Sequence, residues 1–251
     1  MLAYLLVCFF VFLAGFVDSI AGGGGLISLP AYMIAGLPVH TAIATNKMSS
    51  FMGTSVSVFH YLRQGFMKWK VCVPSIFGAI IGSWMGAKLT LLISEKVLKT
   101  AMLIVLPIIL FYVLRSNALK GKEENTSEII DAKLIFKCVV IAVAIGIYDG
   151  IYGPGTGTFL MLLFTGFCHM TLNDAAGTTK AINWTTNITA LTVFIINGKV
   201  LLPLGIAAGC CNMAGNYLGS HSFTSNGYKI VKPVMITVIV IFFIKVLTEM
   251  I

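Results

Sequence analysis

Long apolar runs, separated by short polar connections, dominate the hydrophobic pattern of this chain. They cover about residues 2–20, 23–36, 42–62, 69–91, 97–114, 134–152, 155–168, 174–196, 200–220 and 228–248. A helix needs about 20 such residues to cross a hydrocarbon core of about 30 Å. Because lipid offers backbone polar groups no partner, a spanning segment is either a helix or a strand of a closed barrel. The runs lack the alternation of barrel strands, so they predict an all-α, polytopic transmembrane helical bundle.

The composition also favours a membrane protein. Only 10% of the residues are charged and 58% are hydrophobic, whereas a soluble domain carries about 25% charged residues. The lysines behind the net charge of +8 lie in short connections, without a basic cluster among aromatic residues, so we expect no nucleic-acid partner. The histidines and the six cysteines show no metal-ligand spacing. We therefore expect a multi-pass membrane protein with neither a metal site nor a cofactor.

One polar stretch, residues 115–133, divides the chain almost evenly. The segments on its two sides match each other. The glycine-rich segment after Asp18 recurs after Asp149, 131 positions later, and Lys47 recurs as Lys180, 133 positions later. Several matches in one order are not expected by chance, and they indicate a duplication. The sequence therefore predicts a first transmembrane repeat at 1–114, a cytoplasmic linker at 115–133 and a second repeat at 134–251.

Glycines interrupt the first long run of each half, at residues 22–25 and 153–155. A straight helix over residues 2–36 would be about 52 Å long, which exceeds one crossing. Glycine permits a break there, and we expect a second, short helix to restart near Gly25 and near Thr156. Unpaired amides at such a helix start bind anions. The candidate anion contacts are therefore Gly23, Gly24, Gly25, Gly155, Thr156 and Gly157.

Close helix packing is the alternative role of a glycine in a membrane helix, because small residues let two backbones approach. It is the role that the sequence predicts for the glycines spaced by four positions in two later runs, namely Gly78, Gly82, Gly86, Gly215 and Gly219.

Four ionisable residues fall inside predicted spans or at their edges, namely Asp18, Lys47, Asp149 and Lys180. An isolated charge there costs several kcal/mol, so such residues pair with each other, line water or act on a substrate. We expect the lysines to hold an anion, and the aspartates to neutralise the lysines or to carry protons. The alternative is a structural Asp–Lys pair within each half, without a part in transport.

Hydrogen-bonding residues accompany each of the two lysines. Residues three or four positions apart share a helix face, so one stripe contains Lys180, Asn183 and Asn187, and the other contains Lys47, Ser50 and Thr54. Such stripes line a pore or join helices. The candidate substrate contacts on these two helices are Thr45, Asn46, Lys47, Thr178, Thr179, Lys180 and Asn183.

The membrane topology depends on whether each glycine-broken run turns back or crosses the membrane. The two repeats are inverted if each run turns back as a hairpin, and parallel if each run crosses once. The length of the run favours the hairpin. Ten lysines and arginines then lie on one side of the membrane and five on the other, which places the linker in the cytoplasm and both termini outside. The parallel alternative places both termini inside.

The motifs resemble the signature of the TauE/SafE permeases over essentially the whole chain. They are Gly-Phe-Val-Asp-Ser-Ile-Ala-Gly-Gly-Gly-Gly from Gly15, Gly-Leu-Pro from Gly36, Ala-Thr-Asn-Lys from Ala44, and Tyr-Asp-Gly-Ile-Tyr-Gly-Pro-Gly-Thr-Gly from Tyr148. The resemblance implies an inner-membrane transporter of sulfur-containing anions such as sulfite, sulfonates or sulfoacetate. Thr179 stands where the first half has Asn46, so the two half-sites need not bind alike.

The sequence as a whole predicts a secondary transporter that moves a small oxyanion by alternating access. A co-transported proton or cation is a further candidate partner, and an oligomer is compatible with the sequence. No nucleotide-binding loop and no HExxH or GxSxG motif is present, so the chain is not expected to be an enzyme. Two alternatives stay open, an anion channel and a non-transporting membrane scaffold.

Overall fold

The computed structural model describes residues 2–101, 104 and 130–221. In this part of the chain the helices are α1 (Leu2–Ala21), α2 (Gly25–Ile34), α3 (Val39–Arg63), α4 (Trp69–Leu92), α5 (Ala132–Ile151), α6 (Thr156–Gly166), α7 (Leu172–Ile196) and α8 (Leu202–His221). The all-α prediction is confirmed there, and each helix agrees with its predicted run to within three residues at either end. The linker and the runs predicted at 97–114 and 228–248 lie wholly or largely outside the described residues.

Two of the described helices, α4 and α5, are long and apolar enough by length and composition to cross a membrane. The side chains on the two faces of α4 differ in size, and this indicates the environment of the helix. Its inward face carries small residues such as Gly82 and Ser83, whereas the large side chains of Phe77, Ile81 and Trp84 are exposed. A water-soluble helix has the opposite arrangement, with large apolar residues inside. Small residues inward and large apolar residues outward are typical of a helix that packs closely in lipid.

The chain reverses direction at both glycine breaks. Gly22 has a φ of +74° and Gly153 a φ of +93°, a backbone conformation that favours glycine. A Cβ built on Gly24 would lie 2.6 Å from the carbonyl oxygen of Ala14, although a continuous helix would separate these residues by about 15 Å. In the second half, the rings of Tyr148 and Phe159 lie 5.6 Å apart. The predicted interruption is therefore present in both halves, and α2 and α6 fold back against α1 and α5.

The long helices of each half that the structure describes pack mainly against helices of the other half. Helix α4 packs on α5 and α7, and helix α8 packs on α1 and α3. The two long central helices α3 and α7 also contact each other, and they run antiparallel. Thr45, near the start of α3, accepts a hydrogen bond from the amide of Leu201, beyond the end of α7. Gly177, near the start of α7, lies against the backbone of Phe66, beyond the end of α3.

Glycines allow these contacts between the halves. A Cβ on Gly82 of α4 would collide with the carbonyl oxygen of Val143 on α5, and a Cβ on Gly215 of α8 would collide with that of Phe12 on α1. The remaining members of the two series make equivalent contacts: Gly78, Gly86 and Gly219. The prediction that these five glycines serve helix packing is confirmed. The tight contacts hold α3 and α7, which carry the polar stripes, in the middle of the bundle.

Candidate functional site

The four charged residues predicted to lie within or beside spans form two ion pairs, and each pair joins the two halves of the chain. Lys47 Nζ on α3 donates to Asp149 Oδ2 on α5 at 2.6 Å, and Lys180 Nζ on α7 donates to Asp18 Oδ2 on α1 at 2.8 Å. The residues are between 1% and 8% exposed. The alternative of an Asp–Lys pair within each half is wrong, because packing of each half against the other brings every lysine to the opposite aspartate.

Each aspartate is also bonded to the glycine break that follows it. Thr156, the first residue of α6, donates its hydroxyl to Asp149 Oδ1 at 2.7 Å. In the first half, the amide of Gly24 donates to Asp18 Oδ1 at 3.3 Å. A carboxylate that accepts such hydrogen bonds fixes the orientation of the turn. This local contact gives a physical reason for the recurrence of Asp and the glycine break together.

The two glycine breaks meet in the middle of the molecule. The amide of Thr158 donates to the carbonyl oxygen of Gly22 at 3.1 Å. A Cβ on Gly22 would collide with the backbone of Gly157, and a Cβ on Gly157 would collide with Gly22. Gly25 packs on Pro154, whose Cα would lie 3.1 Å from a Cβ at position 25. Two backbone turns thus form the central contact between the halves, and only glycine fits there.

The expectation of unpaired amides at the starts of α2 and α6 is largely wrong. In α2 the amides of Leu26 and Ile27 donate to the carbonyl oxygens of Gly23 and Gly24, at 3.0 and 2.9 Å. In α6 the amide of Thr156 donates to Gly153 at 3.1 Å, and that of Thr158 donates across to the other break. Because glycine allows the chain to turn this tightly, the turn carbonyls lie close enough to accept these bonds. Most of the amides expected to bind an anion therefore already have partners within the chain.

A polar cavity lies beside the ion pairs and is lined by both halves. Its lining residues are Asp18, Gly22, Gly24, Gly25, Asn46, Lys47, Ser50, Thr54, Asp149, Gly153, Thr156, Gly157, Asn183, Asn187 and Asn212. The free space inside the cavity is about 20 Å³, and one water needs about 10–15 Å³. The cavity in this structure admits water, and it has to widen before an anion of four or five heavy atoms enters.

One cavity-lining side chain has an unfilled hydrogen-bonding position. Asn46 is 5% exposed, and its Oδ1 accepts no hydrogen bond from any residue that the structure describes. Buried polar atoms are nearly always paired, so this orphaned acceptor points to a hydrogen-bond donor from outside the chain, such as a water. Asn46 lies next to Lys47 and lines the same cavity. The two residues together mark the side of the cavity that a ligand would contact.

The structure brings together only part of the predicted residue set. The predicted residues that line the cavity are Asp18, Gly24, Gly25, Asn46, Lys47, Asp149, Thr156, Gly157 and Asn183. The predicted residues that do not line it are Gly23, Thr45, Gly155, Thr178, Thr179 and Lys180. Two threonines of the second group make contacts between helices instead, since Thr45 binds the Leu201 amide and Thr178 lies 3.4 Å from the thiol of Cys72.

Asn212 on α8 is the cavity residue that the sequence reasoning missed. Its Oδ1 accepts from Nδ2 of Asn216 at 2.6 Å, and Asn216 in turn accepts from the hydroxyl of Ser57 on α3 at 2.9 Å. A signal was present in the sequence. Two asparagines spaced by four positions in a run of small and apolar residues define a polar face on a membrane helix.

Comparison with known proteins identifies the family to which this chain belongs. The family described as Sulfite exporter TauE/SafE matches residues 7–246. The chain belongs to the TauE/SafE family. No solved structure matches it.

Curated relatives of this TauE/SafE chain cover nearly its whole length. It is 34% identical over 250 residues to "Probable membrane transporter protein ORF9" of Sinorhizobium sp, covering 99% of this chain and 93% of the relative. It is 33% identical over 244 residues to "Probable membrane transporter protein YfcA" of Escherichia coli (strain K12), covering 97% and 89%. A third relative, "Probable membrane transporter protein YdhB" of Bacillus subtilis (strain 168), is 26% identical over 232 residues, covering 90% and 93%. The chain is thus an integral membrane transporter and not an enzyme.

The charges of the two ion pairs determine how strongly this site would attract an anion. Two ammonium groups and two carboxylates sum to zero net charge between the halves. A bare lysine in such a place would attract an anion strongly, but here each lysine is already neutralised by an aspartate. An anion that enters the cavity therefore has to compete with an internal carboxylate for an ammonium group.

Proposed function

We propose that this TauE/SafE chain is a secondary transporter that moves a small sulfur-containing oxyanion, of the sulfite, sulfonate or sulfoacetate class, across the inner membrane by alternating access. The observation that carries the proposal is the polar cavity between the halves, which is lined by Lys47, Asp149 and Asn46. Lys47 supplies the positive charge, and Asn183 and Asn212 supply hydrogen-bonding groups. The choice of sulfur follows from the description of the family.

Alternating access needs two bodies that rock about a shared site, and the packing supports this part of the proposal. Helices α1 and α5 both have 20 residues, and α3 and α7 both have 25. The antiparallel run of α3 and α7, together with the reciprocal packing of α4 and α8 on the opposite halves, is what two inverted repeats would give. In this proposal the cavity lies at the centre of the pseudo-symmetry, where rocking would expose it to each side in turn.

The first test is thermal stability of the detergent-purified protein with sulfite, sulfate, thiosulfate, sulfoacetate, isethionate, taurine, phosphate and chloride. A ligand that binds the folded state stabilises it by mass action, by about 2.7 kcal/mol at a hundred times its Kd. A sulfur oxyanion should raise the melting temperature of the wild type, and Lys47→Gln should lose this response relative to its own anion-free protein. Lys68→Gln is the matched control, because Lys68 is half-exposed and pairs with Asp174 away from the cavity.

Uptake into liposomes separates the proposal from its two rivals. Saturable uptake coupled to a gradient is expected of the transporter. Currents at near-diffusive rates would identify an anion channel instead. A scaffold would show neither, and in that case Lys47→Gln would change only the stability of the protein.

A further inference from the structure

The two ion pairs are equivalent in sequence but not in structure. Lys180 Nζ donates to the carboxylate of Asp18 and also to the main-chain carbonyl oxygen of the same residue, and Lys180 does not line the cavity. Lys47 Nζ lines the cavity and, among the described residues, has Asp149 Oδ2 as its one hydrogen-bond acceptor. An ammonium group has three donors. Lys47 therefore has donors to spare at the cavity, whereas Lys180 is bound to its partner by two bonds.

Charge balance limits what happens when an anion reaches Lys47. The anion would lie within a few ångströms of the Asp149 carboxylate, and two like charges that close in a buried site repel strongly. Asp149 is 2% exposed, so water screens little of that repulsion. The carboxylate also loses the ammonium group that neutralised it. A bound proton removes both costs at once, because it turns the carboxylate into a neutral acid.

We propose that the Lys47–Asp149 pair couples the anion to a proton. The anion takes the ammonium group of Lys47, and a proton from water binds Oδ2 of Asp149, the oxygen that Lys47 vacates. The hydroxyl of Thr156 continues to donate to Oδ1 of the same carboxyl group. A monovalent anion is then carried together with one proton, without net charge. The Lys180–Asp18 pair stays closed and joins the halves. This inference rests on the proposed function.

The other groups near the cavity leave the Asp149 carboxylate as the group that binds the proton when the anion binds. Among the described residues, the other charged groups that line the cavity are Lys47 from α3 and Asp18 from α1, and Asp18 is paired with Lys180 of α7. Helix α6 contains no ionisable side chain, and Lys88 of α4 is exposed, with its Nζ 3.8 Å from the Trp84 ring centre. The neighbouring phenols are Tyr148 on α5, which donates to the Pro154 carbonyl oxygen at 2.6 Å, and Tyr152, which directly follows α5.

Calorimetric titration of the wild type tests the proposal without any substitution. Sulfate and isethionate, whose own charge is constant near neutral pH, are titrated in two buffers that differ in ionisation enthalpy, and sulfite is titrated in parallel. The buffer-dependent part of the heat counts the protons taken up, and about one per anion is expected. Because the complex then holds one more proton than the free protein, affinity rises by about tenfold per unit fall in pH.

Two matched variants assign the proton to one of the two pairs. Asp149→Asn should bind the anion with no proton uptake and with an affinity that is independent of pH, because no titrating carboxyl group competes for Lys47. Asp18→Asn, at the equivalent position, should keep an uptake of about one proton. Sulfite itself also binds protons near neutral pH. Subtracting the proton uptake of Asp149→Asn from that of the wild type removes this contribution.

The outcomes separate the two proposals. If the wild type binds the anion without taking up a proton, the coupling is overturned but the proposed transport function is not. The same holds if Asp149→Asn still takes up a proton. No binding of any sulfur oxyanion to the wild type overturns the proposed function itself. If Asp149→Asn fails to fold, the proton count of the wild type still decides whether anion and proton bind together.

Discussion

Gly22 and Gly157 lie in direct backbone contact, although they belong to different halves of the chain. The hydrogen bond from the Thr158 amide to the Gly22 carbonyl oxygen, 3.1 Å long, fixes their register. The two chain reversals that form the cavity therefore also form the central joint between the halves. A change that separates them should affect both the stability of the fold and the geometry of the site.

Gly157→Ala tests this joint directly. A Cβ at position 157 collides with the backbone of Gly22, which is rigid and has no side chain to move aside. Forcing extra atoms into a packed site costs about 1–3 kcal/mol, so we expect a lower melting temperature and reduced anion uptake. Gly166→Ala at the other end of α6 is the control, because nothing lies within 4 Å of its Cβ. Equal effects of the two substitutions would contradict the importance of the joint.

The Lys180–Asp18 pair is expected to act on stability. Its side chains are 3% and 12% exposed, and removing one partner of a buried pair costs about 3–5 kcal/mol because the other charge is left uncompensated. Lys180→Met should therefore lower the stability strongly, and the double variant Lys180→Met/Asp18→Asn should recover most of the loss. Lys68→Met, which breaks the half-exposed pair with Asp174, should cost less than about 1 kcal/mol. Thermal unfolding of the four proteins measures this, and a double variant no more stable than Lys180→Met would contradict it.

Local features of the fold were largely predictable from the sequence. The helix bounds follow from the apolar runs, and the chain reversals follow from glycines inside a run that is too long for one crossing. The packing role of Gly82 and Gly215 follows from their spacing. These predictions depend on interactions between residues that are close in the chain or on one helix, and such interactions leave a periodic pattern.

The contacts between the halves were not predictable in the same way. One aspartate and one lysine in each half are compatible with pairing inside a half or across the halves, and only the antiparallel packing of α3 and α7 decides between them. The amides of Leu26 and Thr156 are bonded because the turn carbonyls approach closely, which depends on backbone geometry that composition does not fix. Asn212 was overlooked because its helix was interpreted only through its glycines.

The orientation of the two halves can be tested by cysteine labelling. Because α3 and α7 run antiparallel, the connection before α4 and the connection before α8 lie at opposite ends of the molecule, where Lys70 and Lys199 are both exposed. In a variant without the six native cysteines, we expect Lys199→Cys to react with a membrane-impermeant maleimide on intact cells. Lys70→Cys should react only after the membrane is permeabilised. Labelling of both from the same side would support parallel repeats and contradict the inverted arrangement.

Asn212 offers a test of the cavity that leaves the ion pairs in place. It is 4% exposed, lines the cavity and is oriented by the bond from Asn216 Nδ2 at 2.6 Å. Loss of one hydrogen bond to the anion costs about 1 kcal/mol, so Asn212→Ala should raise the Kd roughly fivefold.

Asn197→Ala is the matched control for this prediction. Nδ2 of Asn197 donates to the Val193 carbonyl oxygen, 2.8 Å away, at the exposed end of α7. Its anion affinity should equal that of the wild type. Calorimetric titration with the sulfur oxyanion that stabilises the wild type most measures both variants. A lower melting temperature of Asn212→Ala with an unchanged Kd would mean that Asn212 only joins α8 to α3, and that the anion binds on the Lys47 side of the cavity without contacting α8.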